Sequence, residues 1–162
     1  MSFSWRPLTA PDLPAVEAIA EVVHPDFPED PAVFAERLSL FPAGCLLLHG
    51  PQGPAGYSIT HPWHLGRPPA LDILIGAIPT DADSFYIHDL ALIPDARGTG
   101  AGGRAVAQFA ALARSEGLPS MSLIAVNGSA PFWESQGFAT APLDATKLAS
   151  YGEAARYMTR LL

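Results

Sequence analysis

The sequence predicts an α/β fold, on two observations about the order of its apolar segments. Short apolar runs typical of strands alternate along the chain with segments whose apolar residues lie on one face of a helix. In the second half, an apolar strand runs directly into a glycine-rich turn and then into a helix. The chain of 162 residues is long enough to build one core, and we expect a single domain over residues 1–162.

The elements of the first half follow from apolar spacing and from turn residues. They are a strand at 3–8, a helix that begins after Thr9, a helix at 31–40, and two strands at 45–49 and 56–61. Residues 62–83 are rich in Pro and Gly and are expected to form a long irregular connection. Connections of this kind are often functional in compact domains.

The second half has clearer signals. We expect a strand at 85–93, a helix at 101–116, a strand at 121–126, a short helix at 130–135, and final strands from 138 and at 156–161. Gly117 and Gly137 follow the two helices and are typical of helix ends.

Composition and charge exclude several classes of function. The net charge of −7 argues against binding to a nucleic-acid backbone, which requires clustered Lys and Arg. No apolar run approaches the roughly 18 residues of a membrane span, and the N-terminus lacks the order of a signal peptide. The one cysteine, Cys45, leaves no internal disulfide framework. We therefore expect a cytoplasmic protein, a monomer or homodimer, that binds neither nucleic acid nor membrane, and the excess of Arg over Lys favours a bacterial origin.

Acidic residues dominate the segment from Asp12 to Glu36, which contains no Lys or Arg. An acidic rim would raise the local concentration of a cationic substrate. A solvated helix face is the more ordinary interpretation of such a run. Both interpretations stay open at this point.

The glycine-rich turn before the long helix predicts an anion site. The first N–H groups of a helix have no partner within the helix, and the positive end of its dipole favours a negative ligand. Gly98, Gly100 and Gly102 let the backbone approach phosphate oxygens, and Arg97 and Arg104 add positive charge. A ligand that carries phosphate groups is therefore expected.

Residues 98–103 also match the G-x-G-x-x-G pattern of dinucleotide-binding proteins. That class needs an acidic residue roughly 20 positions further on, at the end of the next strand, to hold the ribose. The strand at 121–126 carries no acid and is followed by Asn127. The sequence thus argues against a dinucleotide, and no Gly-Lys-Ser/Thr follows the glycines as a P-loop would require.

Two segments resemble the GNAT-type N-acetyltransferases. Residues 89–102 resemble the acetyl-coenzyme A signature of that family, a strand and short turn followed by R/Q-x-x-G-x-G/A and a helix. Residues 129–138 resemble its A-x-x-x-Y-x-x-x-G-F segment. The resemblance implies a mixed, mostly antiparallel central sheet of about six to seven strands flanked by helices.

The same resemblance implies acetyl-coenzyme A as the cosubstrate and no metal. Backbone groups of Leu90 and Leu92 would pair with the pantetheine arm, and amides of the glycine turn would hold the pyrophosphate. The implied cofactor-binding residues are Leu90, Ala91, Leu92, Arg97, Gly98, Thr99, Gly100, Ala101, Gly102, Asn127, Phe132 and Trp133.

His88 and Asp89 are candidate catalytic groups, because amine acetylation needs a base for the amine proton. They occupy the place where related enzymes often carry Glu-Asp, and an imidazole suits the base role. Adjacent strand residues point to opposite faces, so only one of the two should reach the site unless a bulge changes the phase. We expect His88 to share a face with Leu90 and favour it as the base, with Asp89 as an anchor; a purely structural His88 stays open.

The general acid is not evident. The family commonly places Tyr four residues before its Gly-Phe pair, where this sequence has Trp133, whose indole N–H is not comparably acidic. Tyr151, Tyr57 and Ser129 are the candidate substitutes. Direct departure of the thiolate, stabilised by hydrogen-bond donors, is also open.

His24, His61 and His64 are candidate residues of the substrate pocket, and for His24 a helix-terminal role is the more ordinary interpretation. The last two lie at the start of the irregular connection. No set of His and Cys residues has the spacing of a metal site, so no metal is expected.

Taken together, these features predict an acetyl-coenzyme A-dependent N-acetyltransferase. The acceptor would be a primary amine of a small molecule, peptide or protein, including a cationic one, that attacks the thioester directly. The alternative is a non-catalytic module of the same fold that binds or senses acyl-coenzyme A, and the missing tyrosine keeps it open.

Overall fold

The computed structural model describes residues 2–162, across which seven strands form a single sheet. The strands are β1 (Ser4–Pro7), β2 (Cys45–Gly50), β3 (Gly53–Trp63), β4 (Ser84–Leu92), β5 (Ser120–Ala125), β6 (Ala139–Thr140) and β7 (Arg156–Leu161). The helices are α1 (Leu13–Val23), α2 (Pro31–Leu40), α3 (Ala101–Ser115), α4 (Ala130–Ser135) and α5 (Ala145–Leu148). The predicted α/β fold with a central sheet is confirmed.

The order of strands in the sheet is β1-β2-β3-β4-β5-β7-β6. Within the described residues, β4 and β5 form the one parallel pair, and every other neighbouring pair is antiparallel. A parallel pair needs a crossover connection, and here that connection contains the glycine turn and α3. The mixed, mostly antiparallel sheet is therefore as predicted.

Helices cover both faces of the sheet. On one face, α1 and α2 pack against the sheet residues Leu47, Tyr57 and Ile59. On the other face, α3 and α4 pack against sheet residues that include Phe85 and Met121. Through residues 2–162, no helix combines the length and apolar character needed to cross a membrane.

The irregular connection between β3 and β4 is attached to α2 and to the residues just before it. The Glu36 carboxylate accepts hydrogen bonds from the N–H groups of Ile75 and Gly76 at 2.7 and 3.0 Å. The Asp72 N–H donates to Glu29 Oε2 at 3.0 Å. These contacts hold the connection against α2 and the residues that precede it, although it has no regular structure of its own.

Arg37 is buried on α2, with 1% of its surface exposed, which the sequence did not predict. Its Nη2 donates to the Ile73 carbonyl at 3.3 Å, while Nε and Nη1 have no partner among residues 2–162. A buried charge without a partner is costly.

Arg37→Met is therefore expected to raise the free energy of unfolding by about 1 kcal/mol or more, as replacing buried ionic groups by apolar ones often does. Urea unfolding measures the change. Arg114→Met, at an exposed position on α3, is the control and should be nearly neutral. A loss of stability in Arg37→Met would show that the guanidinium is satisfied.

Candidate active site

β4 and β5 separate partway along their length, and the candidate site opens between them. The two strands pair only over residues 85–87 and 121–123. β4 then continues to Leu92 and β5 to Ala125 with no pairing between them. The edge of β4 past Ile87 is therefore free on this side, beside a cavity of about 740 Å³.

A bulge in β4 corrects the predicted orientation of His88 and Asp89. Pairing with β3 passes from Asp89 to Ile87 in one step, which leaves His88 as an extra residue on β4. The phase of the strand changes at this point, so Leu90 packs into the same core as Ile87 instead of sharing a face with His88. As a result, His88 and Asp89 both contact the segment between α1 and α2.

The glycine turn lies in the wall of the cavity. Gly98 and Gly100 have φ angles of +73° and +85°, a region that glycine enters without strain. α3 follows at once, and the Arg104 N–H bonds back to the Gly100 carbonyl at 3.1 Å. The N–H groups of the turn that precede Arg104 have no intrahelical acceptor and suit an anion. The glycines that line the cavity are Gly98, Gly100, Gly102 and Gly103.

The two arginines of the turn differ in what they contact. The Arg97 Nε donates to the Leu92 carbonyl at 3.2 Å, and the residue is exposed at the cavity wall. The Arg104 guanidinium donates to the carbonyls of Phe3 and Thr99 at 2.9 and 3.3 Å. Arg97 is therefore placed to attract an anion, whereas Arg104 fastens the turn to the N-terminal segment.

Aromatic side chains of α4 form another part of the wall. A Cβ on Gly102 would lie 3.0 Å from the Phe132 ring, so glycine is needed for the ring to pack against the start of α3. Phe132 and Trp133 pack edge to face with centroids 5.0 Å apart, and Trp133 also contacts Phe138. Trp133 is 6% exposed and belongs largely to the core.

His24, the residue after α1, forms a pair with Asp89. Its Nε2 lies 2.8 Å from Asp89 Oδ1, and the Tyr57 hydroxyl donates to Asp89 Oδ2. Burial lowers the pKa of His24, but the charge and hydrogen bond of Asp89 outweigh burial and the pKa is raised. Burial raises the pKa of Asp89, and the charge of His24 reverses this, so the pKa of Asp89 is lowered. The two shifts agree and favour an ion pair.

His88 forms a second pair, with Glu29. The His88 Nε2 lies 2.7 Å from Glu29 Oε1, and the side chains are 1% and 5% exposed. The His88 Nδ1 is buried and has no hydrogen-bond partner among residues 2–162. Burial raises the pKa of Glu29, but the charge and hydrogen bond of His88 leave it lowered. The ring of His88 is therefore enclosed, which argues against the base role that the sequence favoured.

Most of the predicted site residues line the cavity: His24, His88, Asp89, Leu90, Leu92, Arg97, Gly98, Gly100, Gly102, Asn127, Phe132, Trp133 and Tyr151. Ala91 and Ala101 are buried instead, and the Thr99 hydroxyl donates to the Ala96 carbonyl at 2.6 Å. The Tyr151 hydroxyl donates to the Pro69 carbonyl at 3.2 Å, and burial raises its pKa.

His61 and His64 do not line the cavity, which corrects their prediction as pocket residues. β3 pairs His61 with Tyr86, before β4 and β5 separate, and the His61 ring is fully buried. The His64 Nε2 lies 2.8 Å from Asp81 Oδ1, near the protein surface. In the described part of the chain, no cluster of three His, Cys, Asp or Glu residues is arranged to hold a metal ion.

Glu29 is the site residue that sequence reasoning missed. It lies in an acidic run, where its charge resembles that of exposed neighbours such as Asp26 and Asp30. Its only local signal is its place between two helices, and its partner His88 is 59 positions away.

Comparison with known proteins identifies the family. A sequence profile described as the acetyltransferase (GNAT) family matches residues 16–138. Among curated proteins, none matches the sequence.

Solved structures are similar in fold. The loading GNATL domain of CurA from Lyngbya majuscula has a TM-score of 0.79 at 11% identity, covering 99% of this chain and 98% of that one. The ribosomal-protein-S18-alanine N-acetyltransferase from Escherichia coli has a TM-score of 0.68 at 20% identity, covering 99% and 94%. N-acetylglutamate synthase from Neisseria gonorrhoeae, complexed with coenzyme A and N-acetyl-glutamate, has a TM-score of 0.71 at 19% identity, covering 100% and 35%. With the family profile spanning well over half of the sequence, the chain belongs to the acetyltransferase (GNAT) family.

Proposed function

We propose that this chain transfers the acetyl group of acetyl-coenzyme A to a primary amine of a small molecule, peptide or protein. One observation carries the proposal: a single cavity has both the amide-lined glycine turn and the His24–Asp89 pair in its wall. The first feature suits the phosphates of the cosubstrate, and the second suits removal of the amine proton. A module that only binds acyl-coenzyme A would have no use for the second feature.

The residues present fit the cosubstrate along its length. The pyrophosphate would lie against the amides from Gly98 to Gly102, including those of Thr99 and Ala101, with Arg97 beside it. The pantetheine arm carries amide groups that would pair with the free edge of β4 at Leu90 and Leu92. Asn127, Phe132 and Trp133 would complete the wall along the arm. A volume of about 740 Å³ is within the usual range for ligand cavities.

The acceptor would enter beside the segment between α1 and α2. Phe27, Glu29 and Leu71 line that part of the cavity. The Glu29 and Asp89 carboxylates are already paired with His88 and His24, so a protonated amine would give its ammonium proton to solvent and enter as the neutral amine. One similar structure is named as an alanine N-acetyltransferase and another is complexed with N-acetyl-glutamate, so amino acids and peptides are the first acceptors to test.

We also propose that residues 1–162 form one domain, since a single sheet includes strands from near both ends. A cytoplasmic location, a bacterial origin and a monomeric or homodimeric state remain predictions from the sequence.

A thermal-shift series tests the cosubstrate. Acetyl-coenzyme A is expected to raise Tm as its concentration increases, with a stabilisation of about 2.7 kcal/mol at 100 times Kd. Two controls should leave Tm unchanged: NAD, which keeps a diphosphate but has nicotinamide riboside in place of pantetheine, and adenosine, which lacks both the diphosphate and pantetheine. Stabilisation by NAD alone would contradict the proposal.

A further inference from the structure

His24 is the cavity end of a chain of hydrogen bonds. The Tyr57 hydroxyl donates to one Asp89 oxygen, and the other lies 2.8 Å from His24 Nε2. The opposite ring nitrogen, His24 Nδ1, lies 2.9 Å from Asn127 Nδ2. Tyr57 is fully buried, whereas the His24 side chain is 15% exposed and lines the cavity. The chain of contacts therefore runs from the core to the place where a substrate would bind.

Two contacts of Asn127 fix the proton on the His24 ring. The Asn127 Nδ2 also lies 3.4 Å from the Val23 carbonyl oxygen, which can only accept. The amide thus presents its N–H groups to both neighbours, and in the neutral ring His24 Nδ1 acts as the acceptor. The ring proton is then on Nε2, directed at Asp89. The Asn127 N–H occupies the Nδ1 lone pair, so an attacking amine would displace the Asn127 amide and donate to Nδ1 in its place.

We propose that His24 is the catalytic base, taking the proton of the attacking amine on Nδ1 and then giving it to the departing sulfur. The inference rests on the acetyl transfer proposed above. Asp89 would hold the ring in the required tautomer and stabilise its charged form, as a carboxylate does in a catalytic triad. His88 is the poorer candidate, since its side chain is 1% exposed against 15% for His24.

The proton balance of the reaction closes on this one ring. The lone pair of the neutral amine forms a bond to the acetyl carbonyl carbon, and the carbon–sulfur bond breaks with its electron pair on sulfur. The nitrogen loses one proton to His24 Nδ1, and the sulfur takes that proton to leave as a thiol. His24 returns to its neutral form, so no separate acid is required where the family has tyrosine and this chain has Trp133.

The surroundings of His24 suit a ring that carries the proton briefly. The ring faces Asp89 from β4, Glu29 from the segment before α2 and Arg97 from the glycine turn. Burial and Arg97 lower the pKa of His24, and the two carboxylates raise it, with a net increase. His24 also follows the last residue of α1, where the negative end of the helix dipole favours an imidazolium.

The other candidates for the acid are already engaged or unsuited. Tyr57 is buried outside the cavity wall and donates to Asp89, while Tyr151 donates to a backbone carbonyl. Ser129 lines the cavity, but a serine hydroxyl is a poor acid.

His24→Gln is expected to lower kcat by about 100-fold or more, the usual effect of losing a general base. Its Kd for acetyl-coenzyme A should match that of the wild type. His49→Gln, an exposed position on β2, is the control and should keep wild-type kcat. The acceptor is whichever of spermidine, phenethylamine, lysine, glutamate or an alanyl peptide is fastest. Wild-type kcat in His24→Gln overturns the inference and leaves acetyl transfer standing, whereas a wild-type protein that acetylates none of them overturns the proposed function.

A second readout needs neither turnover nor a His24 variant that folds. Long-range nitrogen–proton NMR spectra of protein labelled at histidine nitrogens report the tautomer and the titration of the ring. The expected result is a proton on Nε2 at high pH and a midpoint above about 6.5, moved to lower pH in Asp89→Asn. Because His24 must be neutral to accept a proton, kcat should fall as pH drops through the same midpoint. A proton on Nδ1 at high pH, or a midpoint that Asp89→Asn does not move, overturns the inference.

Discussion

Gly98→Asp is expected to weaken acetyl-coenzyme A binding by about 100-fold, or about 2.7 kcal/mol, because a carboxylate would face the phosphates. The backbone there has a φ of +73°, which Asp and Asn tolerate better than other side chains. This chain already has Asp72 and Asn127 at φ angles of +61° and +56°. The loss should therefore arise from charge in the cavity, and calorimetric titration at fixed ionic strength measures it.

Two matched variants separate charge from backbone strain. Gly98→Asn has the shape of the aspartate without its charge and should lose much less affinity. Gly117→Asp places the same residue at the same φ of +73°, at the end of α3 and outside the cavity wall, and should leave affinity unchanged. Equal losses in Gly98→Asp and Gly98→Asn would contradict an anion site at this turn.

His88→Leu is expected to lower the free energy of unfolding by about 3 kcal/mol, because it leaves the buried Glu29 carboxylate without its partner. Guanidinium or urea unfolding at neutral pH measures the loss. The His88–Glu29 pair should contribute above the ordinary glutamate pKa of about 4.3, because the pKa of Glu29 is lowered in the folded protein. The contribution should disappear as pH falls through that lowered pKa.

Two further variants isolate the pair. The double variant Glu29→Gln/His88→Leu has an uncharged amide at position 29 in place of the unpaired carboxylate. It should therefore recover part of the stability that His88→Leu loses. His64→Leu breaks a pair with the same kind of partner, Asp81, at the surface, and should cost far less stability because solvent screens an exposed pair. A similarly small cost for His88→Leu would show that the buried His88–Glu29 pair contributes little to the free energy of unfolding. That result would contradict a structural role for His88.

Much of the fold could be predicted, because its signals are local. The helices at 31–40 and 130–135 begin and end as predicted, and the first has its N-cap at Asp30, whose carboxylate accepts the Ala32 N–H. The short helix α5 was missed, because its only local signal is the cap at Asp144. The bulge at His88 could not be predicted either, since it depends on pairing with β3, a strand far away in sequence.

The glycine-turn side of the cavity wall could be predicted and the histidine pairs on its other side could not, for one physical reason. The glycine turn presents consecutive backbone amides, so its residues are adjacent in sequence. The histidine pairs join residues from different elements: His24 with Asp89 and Asn127, 65 and 103 positions away. The alternation of a regular strand would place His88 on the same face as Leu90, but the bulge encloses the His88 ring instead.

The most direct test of acetyl transfer follows thiol release and the mass of the amine together. The wild-type protein is incubated with acetyl-coenzyme A and, in turn, spermidine, phenethylamine, lysine, glutamate and a peptide with a free N-terminal alanine. We predict that at least one amine gains a single acetyl group for each thiol released. Binding of acetyl-coenzyme A with no acetylated product from any of the amines would contradict acetyl transfer and favour a module that only binds the cosubstrate.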